Sequence, residues 1–344
     1  MKMENLQKIY NQMEDEISKK VFMQRVVYGL SGGASYLSPY FGELDEKMKT
    51  IRARLKEGSG KLVIWGAGRR GKELVDYQND IEWKGFVDNN PNAKDYKGVS
   101  ICSASEFLKS YNDEIVVISS RLYYDEIYAQ LREAGIKEKN IINYGKLLED
   151  LIVGQYFDLD ILEFSNEEIF VDVGSWSGET AIILKNKIGD KLKKVIALEP
   201  DENRIPICKE NMEHAGIKFE IIDKGAWSED TKLHFSTTGE GMIYQQESGE
   251  TSIEVIALDN CLNNEKVTFI KMDIEGAEYE ALLGCKKTIQ TYKPILAISV
   301  YHKLDDIIKI PSLIKEICED YKFYLRQYRP FQTETVLYAI PNKK

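Results

Sequence analysis

Ten residues, VDVGSWSGET from Val171 to Thr180, constrain this chain more than any other stretch. An apolar run ends at Asp172, turns through Gly174 and restarts with helical spacing beyond Gly178, the pattern of a buried strand handing over to a helix. A second apolar run, KVIALEP, closes on Glu199, 27 residues after Asp172, which is the length that one strand, helix, strand unit needs. The expectation is an α/β fold built on a doubly wound parallel sheet.

A parallel strand delivers a ligand at its carboxyl end, where the next helix offers unpaired N–H groups and a partial positive charge. In this loop Gly174 and Ser175 bring backbone close to a ligand, and Gly178 removes a side chain where the helix must lie on the sheet. Glu199 has two oxygens that can accept both hydroxyls of a ribose. Asp172, Gly174, Ser175, Gly178 and Glu199 are therefore expected to hold a cofactor. The loop lacks the G-x-G-x-x-G spacing that suits a pyrophosphate, so an adenosine with an amino-acid tail, S-adenosylmethionine, fits it better than a dinucleotide. The stretch KFEIIDKGAWS then offers Asp223 to the adenine amino group and Ala226 or Trp227 as an apolar wall, although Trp227 fits plain core as readily.

The same pattern recurs in VTFIKMDIEGAEYEALLGC, where Asp273 closes a strand, Gly276 and Ala277 open a helix, and Glu278 is a first-turn acid. KPILAISVYHK ends in turn at Tyr301 and His302. Four strand ends thus converge on one crevice, with Asp273 and His302 as the expected catalytic residues. A hydroxyl nucleophile must lose a proton, and imidazole titrates near working pH, so His302 is the expected base; the alternative is a histidine bonded to a backbone carbonyl. His214 lies in a helical stretch and His234 in a polar one. Asp273 and Glu275 are too weak a pattern to assign a metal. The tail residues Tyr324, Arg326, Tyr328 and Arg329 can stack on a sugar ring or form one solvent face of a strand.

VDVGSWSGET, ALEP, IKMDIEGAE, SVYHK, YLRQY and ETVLYAI, in that order, resemble the FkbM-type S-adenosylmethionine-dependent methyltransferases from about Gln155 to Ile340. The resemblance implies a seven-stranded sheet whose last strand is antiparallel, and methyl transfer to a hydroxyl oxygen, often on a sugar or natural product. A small-molecule or saccharide acceptor is expected.

Upstream, the strand KLVIW runs into GAGRRGKELV. Gly66, Gly68 and Gly71 match G-x-G-x-x-G, and Asp88 follows 22 residues after Gly66. With the strand EIVVIS and the helical YYDEIYAQLREAGI, residues 61–150 form a second α/β unit, which resembles the Rossmann accessory modules that bind nucleotide sugars. Arg69 and Arg70 in the loop favour an anion, so Gly66, Gly68, Arg69, Gly71 and Asp88 are candidates for a nucleotide or nucleotide sugar; a unit that binds nothing is the competing reading. No Tyr is followed four places later by Lys, which tells against nicotinamide redox chemistry. Residues 1–60 read as a helical lead-in broken by the loop GLSGGASYLSPYFG, and residues 151–344 as the methyltransferase domain.

The remaining bounds are compositional. A net charge of −10 without a basic run tells against nucleic acid. No apolar run reaches the ~18 residues of a membrane span, and the charged start does not read as a secretion signal, so the cytoplasm is expected. Five scattered cysteines without a C-x-x-C pair indicate neither a disulfide frame nor a zinc site. A nucleotide-sensing or scaffold protein that binds cofactor without turnover is the leading rival reading.

Overall fold

The strands Leu62–Trp65, Glu168–Val173, Leu192–Leu198 and Phe269–Met272 are short, mostly apolar and largely buried, so each runs through the middle of a layered α/β structure rather than along its surface. The structure, a computed structural model, describes residues 3–33, 37, 46–150, 154–235, 251–329, 331 and 333–342. Most of the loop expected after Gly29 lies outside the described residues. The chain divides into a small unit, residues 30–155 with 327–333, and a large unit, residues 1–29, 156–326 and 334–344.

Helices α1 (Met3–Asn11) and α2 (Glu16–Ser31) open the chain. The small unit follows with α3 (Glu46–Glu57), β1 (Leu62–Trp65), α4 (Arg69–Tyr77), β2 (Trp83–Asp88), β3 (Asp95–Tyr96), β4 (Val99–Ser103), α5 (Ala104–Ser110), β5 (Ile115–Ile118), α6 (Tyr124–Glu133), β6 (Ile141–Asn143) and α7 (Gly145–Asp150). Its six strands lie in the order β3-β4-β2-β1-β5-β6. All neighbours are parallel except the β3–β4 pair. Strand order reverses at β1, between β2 and β5, which opens a crevice at their carboxyl ends. Val63, Trp65, Val87, Val116 and Ile118 meet Phe107, Ile127 and Leu131 from the helices in one core.

The large unit continues with β7 (Glu168–Val173), α8 (Glu179–Ile188), β8 (Leu192–Leu198), α9 (Ile205–His214), β9 (Phe219–Ile222), β10 (Gly225–Trp227), β11 (Thr231–Phe235) and β12 (Thr251–Ala257). It ends with α10 (Leu258–Cys261), β13 (Phe269–Met272), α11 (Glu278–Leu283), α12 (Lys286–Tyr292), β14 (Ile295–Ser299), α13 (Asp306–Ile317), β15 (Tyr321–Gln327) and β16 (Thr335–Pro341). Seven strands form the sheet β15-β16-β14-β13-β7-β8-β9, and β16 runs antiparallel to β14, as the resemblance implies. The stretch SIEVIALDN runs through β12, in a separate three-stranded sheet parallel to β10 and antiparallel to β11, and on into α10. Phe157, Phe170 and Phe269 pack at centroid distances of 5.4 to 5.8 Å beneath the main sheet's centre.

The first helices close an open edge. The Glu14 N–H donates to the Phe323 carbonyl at 3.0 Å, and the Leu325 N–H donates to Ser18 Oγ at 2.8 Å. Arg326 adds two contacts to Asp15, at 3.2 and 2.6 Å. Backbone groups of β15 that would otherwise stand free for another chain are thereby occupied. The same contacts account for Arg326, which meets Asp15 here rather than a sugar ring.

Candidate active site

The main sheet changes direction at β7, which pairs with β8 on one side and β13 on the other. The chain leaves β8 and β13 toward helices on divergent paths, and a crevice opens beyond their carboxyl ends. A cavity of about 500 Å³ occupies it, lined by Gly174, Ser175 and Trp176, by Glu199, by Ala226 and Trp227, and by Tyr156, Lys271, Asp273 and Glu275.

The glycine loop is shaped by contact with its neighbours. Gly174 has φ +79°, and a Cβ there would stand 2.1 Å from the Asp273 carbonyl oxygen, so the loop rests directly on the end of β13. Gly178, at φ +76°, is the N-cap of α8, and a Cβ would meet the Cys208 carbonyl at 3.2 Å. It brings α8 against α9 and is not on the cavity wall. Trp176, at φ +54°, is 58% exposed and carries the Arg204 guanidinium 3.6 Å above its ring.

Glu199 is held by the loop it faces. Its Oε2 accepts the Trp176 N–H at 2.7 Å and its Oε1 accepts the Asp201 N–H at 3.0 Å. Burial pushes the carboxyl up and the two N–H bonds oppose it. Each oxygen keeps lone-pair capacity toward the cavity.

Asp172 does not reach the cavity, contrary to the contact expected of it. It is 0% exposed, and Lys271 Nζ lies 3.1 Å from its Oδ1 and 2.7 Å from the Gly174 carbonyl oxygen. Burial pushes Asp172 up while Lys271 pulls it down. The pair fixes the loop from beneath. Asp223 is exposed and off the wall as well, because β10 begins only at Gly225 and presents Ala226 and Trp227 instead.

At the other end of the cavity, Asp273 accepts the Tyr156 hydroxyl at 2.8 Å and the Tyr301 hydroxyl at 3.1 Å. Burial holds both phenols well above their ordinary range, so both stay protonated donors. His302 stands behind Asp273, off the cavity wall, with Nε2 3.5 Å from Asp273 Oδ1 and 3.5 Å from Glu275 Oε2. Burial lowers its pKa, but the carboxylates of Glu278, Asp273 and Glu275 outweigh burial and push it up to about 9. An imidazolium has no lone pair to take a proton, so this environment does not supply the free base expected at His302. Glu278 is the first-turn acid of α11 that was expected, and it is 0% exposed; its Oε1 accepts the Ile274 N–H at 2.9 Å and lies 2.9 Å from His302 Nδ1.

The small unit has a cavity of about 850 Å³ at its own crevice, and Gly66, Gly68, Arg69, Gly71 and Asp88 all line it. Asp88 repeats the role of Glu199, accepting the Ala67 N–H and the Asn90 N–H, each at 2.9 Å. A Cβ at Gly66 (φ +110°) would stand 2.6 Å from Ser119 Oγ, and one at Gly71 would stand 2.0 Å from the Gly66 carbonyl oxygen. At Gly68 a Cβ would meet nothing within 4 Å.

Tyr156, Trp176 and Lys271 had no place in the sequence reading. Lys271 alone left a signal there, as a charge inside the otherwise apolar strand VTFIKM.

The whole chain resembles the crystal structure of methyltransferase FkbM from Methylobacillus flagellatus KT, with a TM-score of 0.53 and 21% identity over 94% of this chain and 99% of that one. At that identity the likeness is one of fold. Fibrillarin from Aeropyrum pernix, solved with natively bound S-adenosyl-L-methionine, aligns at a TM-score of 0.37 and 12% identity over 57% of this chain and 74% of that one. TrmK from M. capricolum, solved with S-adenosyl-homocysteine, aligns at 0.33 and 12% over 57% and 68%. No curated protein matches the chain. Residues 58–142 match the family model described as C2185-like, N-terminal. Residues 169–326, from β7 into β15, match the family model of the methyltransferase FkbM domain.

Proposed function

We propose that the large unit transfers a methyl group from S-adenosylmethionine to a hydroxyl oxygen of a sugar or natural-product precursor. The observation that carries this reading is Glu199, a carboxylate on the wall of a 500 Å³ cavity, held by the Trp176 N–H of the glycine loop and by the Asp201 N–H, within the stretch that matches the FkbM domain. In this reading Glu199 accepts the ribose hydroxyls. Gly174 and Ser175 offer backbone to the amino-acid tail, and Ala226 and Trp227 flank the adenine. The transferred carbon leaves sulfur as it bonds to oxygen, so catalysis rests mainly on alignment in a dry pocket. Asp273 is the carboxylate that meets the acceptor hydroxyl and takes its proton as the O–C bond forms, and its two tyrosine donors fix its orientation.

Calorimetric titration with S-adenosylhomocysteine tests the cofactor half of this reading. Saturable binding that Glu199→Ala weakens is expected; no binding at millimolar ligand would end it. Mass spectrometry of sugars and nucleotide sugars incubated with protein and S-adenosylmethionine tests the acceptor half.

We infer further that the small unit binds a nucleotide or nucleotide sugar in its 850 Å³ cavity. Gly68 supports this, because nothing in the protein's own packing requires a glycine there, whereas a phosphate lying on the loop would. A rise in melting temperature with a uridine or guanosine diphosphate, abolished by Gly68→Val, is the expected result.

A further inference from the structure

Asp273 and Glu275 alone make a weak pair of metal ligands, but folding brings a histidine and a further glutamate to them. One ligand atom each from Asp273, Glu278 and His302 lies within 4.8 Å of the others. The cluster contains buried atoms that the protein leaves unmatched. Glu278 is 0% exposed and its Oε2 makes no hydrogen bond among the described residues. The His302 side chain is 10% exposed; its Nδ1 lies 2.9 Å from Glu278 Oε1 and has no hydrogen-bond partner among the described residues.

Charge sharpens the point. Glu275 approaches the same imidazole from the open side, with Oε2 3.5 Å from Nε2, and Asp306, 2% exposed, lies close enough to Glu278 to feel its charge. Three carboxylates, those of Asp273, Glu275 and Glu278, therefore surround one imidazole; even protonated it leaves negative charge unmatched, and a metal ion that replaces its proton matches more of that charge. Lys271, the buried ammonium nearby, is already committed to Asp172 and the Gly174 carbonyl.

We propose that Asp273, Glu278 and His302, with Glu275 on the open side, bind one divalent cation at the edge of the large unit's cavity. One imidazole among carboxylates suits a first-row transition ion such as Mn²⁺ or Zn²⁺ better than an all-oxygen calcium site would. Tyr156 and Tyr301 hold Asp273 from behind, as partners of metal-bound carboxylates do. Asp273 and Glu275 also line the cavity, so the cation stands where an acceptor oxygen would meet it. That last role rests on the methyl-transfer reading; the site itself does not.

The test is a titration of the full-length protein, stripped with EDTA, with MnCl₂, following free Mn²⁺ by electron paramagnetic resonance. One Mn²⁺ per chain is expected, displaced by Zn²⁺, with affinity falling about tenfold or more in Asp273→Asn and Glu278→Gln. Glu275, whose side chain is 66% exposed, supplies a variant that leaves the fold intact, and Glu275→Gln should also weaken binding. No Mn²⁺ retained above the bulk, or one affinity in wild type and all three variants, overturns the site. S-adenosylhomocysteine binding, measured on the same metal-free samples, reports on the methyl-transfer reading separately. Its absence beside intact Mn²⁺ binding would sink that reading and leave the cation site standing.

Discussion

Lys271 Nζ lies 3.1 Å from Asp172 Oδ1 and 2.7 Å from the Gly174 carbonyl oxygen, joining the end of β13 to the end of β7 beneath the glycine loop. Both side chains are almost fully buried, so neither charge has water to fall back on. Breaking such a pair from one side leaves an uncompensated charge and costs about 3–5 kcal/mol. Lys271→Met is therefore expected to lower the melting temperature sharply and to weaken S-adenosylhomocysteine binding through the displaced loop. Lys271→Met with Asp172→Leu removes both charges and should recover much of the stability. If the single variant melts like wild type, the pair does not brace the loop.

Glu199 couples to the same loop from above. In the proposed complex it accepts charge-assisted bonds from the ribose, each worth about 1.5–3 kcal/mol. Glu199→Ala should weaken S-adenosylhomocysteine at least tenfold by calorimetry. Because the variant also frees the Trp176 N–H, Glu199→Gln, which keeps one acceptor toward the loop, should melt closer to wild type than Glu199→Ala does. Undiminished ligand affinity in both variants would remove Glu199 from the cofactor site.

The glycines divide by what surrounds them, and the division predicts three outcomes. Gly174→Ala adds a Cβ 2.1 Å from a backbone oxygen at φ +79°, and Gly71→Ala adds one 2.0 Å from another. Both should destabilise by at least about 1–3 kcal/mol, read as lower denaturant midpoints. Gly68→Ala meets open space and should fold like wild type. A Gly68→Ala midpoint as low as that of Gly71→Ala would show that the loop's packing, not a ligand, demands the glycine.

What the sequence made legible was local. A strand closing on an acid and turning through glycine is written in consecutive residues, and Gly174, Ser175, Glu199, Ala226 and Trp227 all line the cavity. Pairings between distant segments were not legible. Nothing near Asp172 announces that Lys271, 99 positions on, will neutralise it. Tyr156, at φ +76° in a connector, donates its hydroxyl to Asp273 while its backbone N–H donates to the Tyr338 hydroxyl at 3.0 Å, contacts 117 and 182 positions away. His302 lies three residues past the end of β14, and its charge depends on Glu278, a contact that neither stretch announces. The sheet that β12 joins was not legible either, because register lives in the partner strands β10 and β11.

The first two helices carry a pH dependence of their own. Burial raises the Asp15 carboxyl, but the Arg326 and Ser18 contacts outweigh it and hold the group below its usual 3.8. A carboxyl with a lower pKa in the folded chain favours folding wherever it is ionised. Its contribution is thus complete above about 3.8 and is lost as pH falls through the folded value. The Asp15 side chain is 34% exposed, so solvent screening keeps the effect below about 1 kcal/mol. Asp15→Asn should cost a small, constant amount of stability near neutral pH, and the wild-type and variant curves should converge as the pH drops toward 3. Urea midpoints recorded from pH 7 to pH 3 will show this. A gap between the curves that stays constant down to pH 3 would mean that Asp15 holds α2 against β15 through its hydrogen bonds alone and not through its charge.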